Sequence, residues 1–368
     1  MIQDTRYFLV GDIGGTNTNL GIARCSGSKV EVLHKASYST QQERSLSDPV
    51  RRFLRSARDA GLPEALDYCC VSGAGPVEEG RRIQLTNAPW SIERDELVDI
   101  LQCPVSLIND FTALGYAVGT VDWRDARAVA RLPHTDGSLP EPRDGMMLIL
   151  GAGTGLGVGF VDRHQTRLTA YPSEGGHSEL PVFDDLSRSF HAWLSSIAGY
   201  PAGAELAISG QGIANIFEFV CTQTFDQSRI EAEYGLASGS LSQGITPLAA
   251  GILASPRQEW PPAIASGSAA DPWCRLAMEL FTRLYAQKAA NLTAIFLPEG
   301  GVWLAGGISS RNEAWLLEDC RFMRWFERNY APHIRTFLAK TPVCLVRDYH
   351  ISLRGAAEAA RQHLEYGA

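Results

Sequence analysis

The stretch LILGAGTGLGVGFV, residues 148–161, constrains the fold of this chain more than any other. Apolar residues run into glycines at 151, 153, 155, 157 and 159, with a single hydroxyl at Thr154. LGVGFVD alternates as a strand does, so the stretch reads as strand, turn, strand. VGDIGGTNTNLGIA, residues 10–23, has the same layout, with an apolar strand entering a Gly/Thr turn and another leaving it. One such turn in each half of the chain predicts two related domains facing each other.

Neither turn is a dinucleotide or P-loop fingerprint. G-x-G-x-x-G requires a third glycine and a following helix. Here Leu156 stands three residues after Gly153 and Val158 three after Gly155, and the exit is a strand. G-x-x-x-x-G-K-[ST] is also absent, since no lysine follows either turn. A Gly-rich β-turn still binds phosphate when successive backbone N–H groups converge on an anion, because glycine permits both the dihedrals and the close approach. Thr16 and Thr154 would add hydroxyl donors. Asp12, at the end of its strand, suits a Mg2+ ion held through water; the competing reading is an Asx residue that stabilises its own turn. A third strand, VWLA, runs into Gly306 and Gly307.

The rest of the chain supplies an α/β frame. Its 368 residues are 45% apolar, enough for a large core and two domains. Strands alternate with helices at SDPVRRFLRSARDAGLP, FTALGYAV, DPWCRLAMELFTRLYAQKAANLTAIF and SLRGAAEAARQHL. Ser47 or Asp48 is expected to cap the first of these helices and Asp271–Pro272 to open the third. On the third, Trp273, Leu276, Ala277, Leu280, Phe281, Leu284 and Leu292 keep helical spacing, and Lys288 is the one interruption. Residues 124–145 read as a surface loop and 183–270 as helices and loops. A net charge of −8 argues against a nucleic-acid or acidic-membrane partner. No apolar run approaches the ~18 residues of a membrane span, and the N-terminus lacks the layout of a signal peptide. The eight cysteines form no C-x-x-C pair, which fits free thiols in a reducing cytoplasm rather than a zinc site.

Asn109 and Asp110 end the apolar strand PVSLIND. A buried polar pair without partners costs a few kcal/mol. Two readings are open: a role in a binding cleft, or an N-cap for FTALGYAV.

LVGDIGGTN, LTNAPW, LINDFTALG, GAGTGLGVGF, EGGHSE, ISGQG and LAGGI follow one another along the chain. This ordered set closely resembles the bacterial ATP-dependent glucokinases of the actin-like hexokinase and sugar-kinase superfamily. The resemblance implies a two-domain actin-like (ribonuclease H-like) α/β fold with an interdomain cleft. Residues 1–120 plus 348–368 would form a small domain and residues 121–347 a large one. It implies that Asp12, Gly14, Gly15, Thr16 and Asn17, with Gly151, Gly153, Thr154 and Gly155, grip the ATP phosphates. Gly306 and Gly307 would lie against the adenosine. Asn109, Asp110, Glu174, His177 and Glu205 would hold the sugar. Around Glu205 the match is thin, an Ala-Glu pair and a following Ser-Gly.

The activity implied is phosphorylation of glucose at its 6-hydroxyl, the first step of glycolysis, with ATP and Mg2+ as cofactors and Asp110 as general base. A cytoplasmic homodimer without nucleic-acid or membrane partners is expected. Glu174 and His177 stand three apart across two glycines, so a carboxylate and an imidazole can accept from and donate to neighbouring hydroxyls. Such a pair also suits a metal, but no cysteine cluster follows it. Trp90 reads as a cleft wall or as plain core; His134, His164, His191 and His333 have no motif around them. Thr18 and Asn19 replace the more usual Ala and Arg after the first turn. Competing readings are a kinase for fructose, mannose or an N-acetylhexosamine, a non-enzymatic sugar sensor, and an ATPase chaperone. A sensor would carry an added N-terminal helical unit; a chaperone would lack Asn109–Asp110 and the Glu-Gly-Gly-His set.

Overall fold

The apolar run before the first Gly turn forms strand β1 (Thr5–Ile13), and the run after it forms β2 (Asn17–Ser26), antiparallel, with Ile13 opposite Thr18. In this computed structural model residues 5–86, 88–171, 173–347 and 351–367 are described. Asn87 of the LTNAPW motif and the expected boundary at 348 lie outside the described residues. The chain packs as two units, Met1–Asp122 with Gly159–Pro172 and Asp348–Ala368, and Trp123–Val158 with Ser173–Arg347.

In the first unit β3 (Lys29–Ser39) continues the meander. Helix α1 (Ser47–Asp59) buries Val50, Phe53 and Ala57 on one face. Leu46, not Ser47 or Asp48, occupies its N-cap position, without a side-chain bond. The Ser47 hydroxyl is engaged elsewhere, donating to Glu96 Oε2 at 2.6 Å. Strand β4 (Tyr68–Gly73) lies parallel to β1. A small antiparallel ribbon follows, β5 (Val77–Glu78), β6 (Arg82–Gln84) and β7 (Ser91–Glu93), then α2 (Arg94–Leu101). Strand β8 (Val105–Asn109) pairs parallel with β4, and α3 (Asp110–Gly119) leaves from its end. The sheet order is β3-β2-β1-β4-β8, so the ends of β1, β4 and β8 stand side by side.

In the second unit the segment 124–145 is not all surface loop: Val129–Arg131 form strand β9, with Val129 and Ala130 buried. Three residues are too few to show a period of two, so the pattern could not reveal it. Strands β10 (Gly145–Ala152), β11 (Leu156–His164), β12 (Arg167–Tyr171), β13 (Val302–Ala305) and β14 (Val343–Val346) complete a sheet ordered β12-β11-β10-β13-β14-β9.

Between 183 and 270 lie α4 (Asp185–Ala198), α5 (Gly210–Thr222), α6 (Gln227–Tyr234), α7 (Pro247–Ala254) and α8 (Trp260–Gly267). Asp184, Ser209, Asp226 and Thr246 cap the first four by accepting a backbone N–H three residues on. Helix α9 (Pro272–Phe296) is buried around most of its circumference, and Asp271 caps it through the amides of Trp273 and Cys274. Helices α10 (Gly307–Arg311), α11 (Glu313–Leu317), α12 (Met323–Phe326) and α13 (Pro332–Leu338) connect β13 to β14.

Helix α14 (Ser352–Tyr366) returns the chain to the first unit. A Cβ on Gly355 would stand 1.8 Å from the Ala113 carbonyl, so glycine lets α14 and α3 touch backbone to backbone. Gln362 Nε2 donates to the Thr166 carbonyl at 2.7 Å and Arg361 donates to the same atom, which ties the β11–β12 turn to this helix. Among the described residues no helix is long and apolar enough to cross a membrane. All eight cysteines are unpaired, and six are buried.

Candidate active site

In the first unit the turn between β1 and β2 is supported from behind by its carbonyls. Gly14 N–H donates to the Asn17 carbonyl at 2.9 Å and closes the turn. Thr40 Oγ1 donates to the Gly14 carbonyl at 2.8 Å, Gln41 Nε2 to that of Gly15 at 2.7 Å, and Thr40 N–H to that of Thr16 at 2.9 Å. Among the described residues the amides of Gly15 and Thr16 donate to no protein acceptor. Engaged carbonyls and unengaged amides make a concave donor surface that suits an anion. The Trp90 indole donates to the Thr40 carbonyl at 3.2 Å from within the core, so this tryptophan is core and braces the support of the turn. Neither Thr40 nor Gln41 was expected from sequence; both act through backbone atoms 26 residues away, which no local pattern records.

Asp12 ends β1 beside β4. Ser72 Oγ donates to the Gly11 carbonyl at 3.0 Å and lies 3.4 Å from Asp12 Oδ1. Among the described residues no three His, Cys, Asp or Glu side chains gather as a metal site. A cation here would therefore bring most of its oxygen ligands as phosphate and water, as Mg2+ does, and one carboxylate fits that demand.

Asn109 and Asp110 sit where β8 becomes α3. Asn109 Oδ1 accepts the Phe111 N–H at 2.8 Å, so it is the helix N-cap, and its Nδ2 donates to the Gly75 carbonyl at 3.2 Å. Asp110 opens the first turn, and its Oδ1 shares the same Phe111 N–H at 2.8 Å. The capping reading thus holds for Asn109, and the cap holds Asp110 at the helix N-terminus, where a negative charge is favoured.

In the second unit the turn between β10 and β11 repeats the design. Gly153 N–H donates to the Gly155 carbonyl and Gly210 N–H to the Gly153 carbonyl, both at 2.9 Å. Among the described residues the amides of Thr154 and Gly155 have no protein acceptor. The Leu156 N–H donates to Glu205 Oε2 at 2.9 Å, and a Cβ on Gly155 would stand 2.4 Å from that oxygen. Glu205 therefore lies directly on the turn that carries Gly151, Gly153 and Thr154. Gly306 closes the same corner: with φ at +88° its Cβ would stand 2.5 Å from the Ala152 carbonyl, so only glycine fits between β13 and Gly307 at the start of α10.

The EGGHSE segment packs beside these elements. A Cβ on Gly176 would stand 1.8 Å from the Leu156 carbonyl, which presses the segment onto the start of β11. Ala204 N–H donates to the Ser178 carbonyl at 2.9 Å, so the segment is bound to the short turn bearing Glu205. The Glu174 and His177 side chains are 78% and 65% exposed, with His177 Nε2 3.7 Å from Glu174 Oε2. Thus the second unit brings Gly151, Gly153, Thr154, Gly155, Glu174, His177, Glu205, Gly306 and Gly307 to one end of its sheet. The first unit brings Asp12, Gly14, Gly15, Thr16, Asn17, Asn109 and Asp110 to one end of its own, where β1, β4 and β8 finish. His134, without a motif, is 1% exposed and held by Glu327 at 2.8 Å and the Thr341 carbonyl at 3.0 Å, a structural histidine.

A family model described as glucokinase matches residues 9–363. The chain belongs to the glucokinase family. A glucokinase of Nostoc sp. is 30% identical over 96% of this chain and 98% of its own length; one of Synechocystis sp. is 31% identical with the same coverage. Among solved structures, glucokinase from an Antarctic psychrotroph has a TM-score of 0.71 at 22% identity, covering 97% of this chain and 99% of that one. A ROK-family glucokinase from Streptomyces griseus, solved with glucose and AMPPNP, has a TM-score of 0.56 at 19% identity, covering 97% and 99%. These likenesses show the two-domain actin-like sugar-kinase fold.

Proposed function

We propose that this chain transfers the γ-phosphoryl group of ATP to the 6-hydroxyl of glucose, giving glucose 6-phosphate and ADP. Membership of the glucokinase family over residues 9–363 carries this reading. The two turns with unengaged amides take the phosphates, with Thr16 and Thr154 adding hydroxyls. Asn109, Asp110, Glu174, His177 and Glu205 take the sugar; each hydrogen bond to a charged group is worth about 1.5–3 kcal/mol. Gly306 and Gly307 face the adenosine.

The bond that forms joins the sugar O6 to the γ-phosphorus, and the bond that breaks joins that phosphorus to the β-γ bridging oxygen of ATP. Asp110 accepts the proton of the 6-hydroxyl. An ordinary aspartate has a pKa of about 3.9, weak for an alcohol, but phosphoryl transfer has a loose transition state and the proton can leave late. Positioning and charge neutralisation therefore dominate. Bound with the nucleotide, Mg2+ supplies neutralisation of the phosphate charge, and Asp12 would hold it through water. A cytoplasmic homodimer completes the reading; the unpaired cysteines support a reducing compartment.

A coupled assay of ADP release against glucose, fructose, mannose and N-acetylglucosamine tests it. Glucose-dependent release is expected. Release that needs no sugar would refute the kinase reading, and release with another hexose but not glucose would reassign the substrate.

A further inference from the structure

Lys288 breaks the apolar stripe of α9 and is only 4% exposed. Its Nζ donates to Ser178 Oγ at 2.5 Å and to the Glu179 carbonyl at 3.1 Å. Among the described residues it forms no ion pair, whereas the buried Arg321 has Glu279 at 2.7 Å. A buried ammonium is costly to desolvate, and a methionine of similar length would suit the stripe better. Burial pulls the Lys288 pKa down from the ordinary lysine value, and the charge of Glu179 opposes that. Both of its acceptors are the residues that directly follow His177.

Ser178 passes the constraint on. Its Oγ accepts from Lys288 and donates to the Gly175 carbonyl at 2.6 Å. The chain Lys288–Ser178–Gly175 therefore reaches the backbone between Glu174 and His177, whose own side chains stand largely in solvent. From the other side, among the described residues, the segment is held through backbone, by the Ala204 N–H on the Ser178 carbonyl and by the Glu179–Gly203 bridge.

We infer that Lys288 is a positioning residue for the sugar, clamping the EGGHSE segment in the shape that aims Glu174 and His177 at its hydroxyls. The inference rests on the proposed roles of those two residues. It makes Lys288 a determinant of sugar affinity that touches neither sugar nor nucleotide.

Steady-state kinetics on the full chain test it with Lys288→Met, Ser178→Ala, the double variant and Lys288→Arg. Lys288→Met is expected to raise the KM for glucose about tenfold, the loss of one charge-assisted hydrogen bond, with the KM for ATP within twofold of wild type. Amides 175–178 should lose hydrogen-exchange protection in the same variant without sugar. Ser178→Ala should raise the glucose KM severalfold, the double variant should be no worse than Lys288→Met, and Lys288→Arg should recover part of the loss. A glucose KM within twofold of wild type in folded Lys288→Met, glucose and ATP KM values rising together, or additive effects would each overturn it. Should Lys288→Met fail to fold, Ser178→Ala decides, since Ser178 is exposed: an unchanged glucose KM overturns the clamp. Wild-type protein that phosphorylates no sugar would instead overturn the proposed function, and this is read before any variant.

Discussion

Asn109 and Asp110 show how one dipeptide serves structure and chemistry together. Sequence left a cap and a cleft role as alternatives; in the structure Asn109 is the cap, with both polar atoms of its side chain bonded. Its neighbour opens the helix with one oxygen on the same amide. Asp110→Asn preserves size and that acceptor and removes the base. It is expected to lower kcat by roughly 10²–10⁴-fold with little change in the KM for glucose, measured by coupled ADP release. Turnover near the wild-type value would remove Asp110 from the proton transfer. At this scale the glycines and polar pairs were readable because each is locally incongruous: glycine in a strand context, carboxamide and carboxylate after an apolar run. Thr40, Gln41 and Ser178 were not, since nothing in a threonine, glutamine or serine signals that it will hold a distant carbonyl.

Elements with side-chain caps carry their own boundaries. Asp271 before Pro272 predicts the start of α9, and Asp271 Oδ1 accepts from Trp273 N–H at 3.0 Å and Cys274 N–H at 2.9 Å. The Thr246 hydroxyl donates to the other oxygen of the same carboxylate, so the caps of α7 and α9 are joined. Asp271→Ala is expected to cost about 0.5–2 kcal/mol, read by urea denaturation; a loss below the detection limit would mean that water replaces the cap. The start of α1 at Ser47 is legible in the sequence and only its cap, Leu46, differs, whereas strand β9 and the bond from Ser47 to Glu96 are not legible. The strand rests on pairing with β14 and the bond on a residue 49 positions away, so tertiary partners define both.

At the scale of the whole molecule the C-terminal helix closes the first unit. His363 on α14 packs edge-on to Tyr116, with ring centroids 5.9 Å apart, and its Nδ1 has no hydrogen-bond partner among the described residues. Burial lowers its pKa, because an imidazolium there would be partly stripped of water. The unfolded state therefore binds the proton more readily than the folded state. The stability from the neutral ring is complete above the unfolded pKa of about 6.5 and is lost as pH falls through the lower folded value. Urea denaturation at a series of pH values is expected to show this loss below about pH 6.5, and His363→Phe should flatten that part of the curve; an equally steep curve in the variant would assign the effect to other groups. By itself the sequence determined the α/β class, the two Gly turns, the long helix α9 and the kinase family, because glycine placement, apolar period and motif order are local or ordered signals. Only the tertiary structure decided that residues 159–172 pack with the two chain ends, that Glu205 rests on the second turn, and that Lys288 is bonded to the residues after His177. Each of these joins atoms dozens of residues apart, and the free energy that selects them comes from burial and hydrogen bonding in three dimensions rather than from local preference.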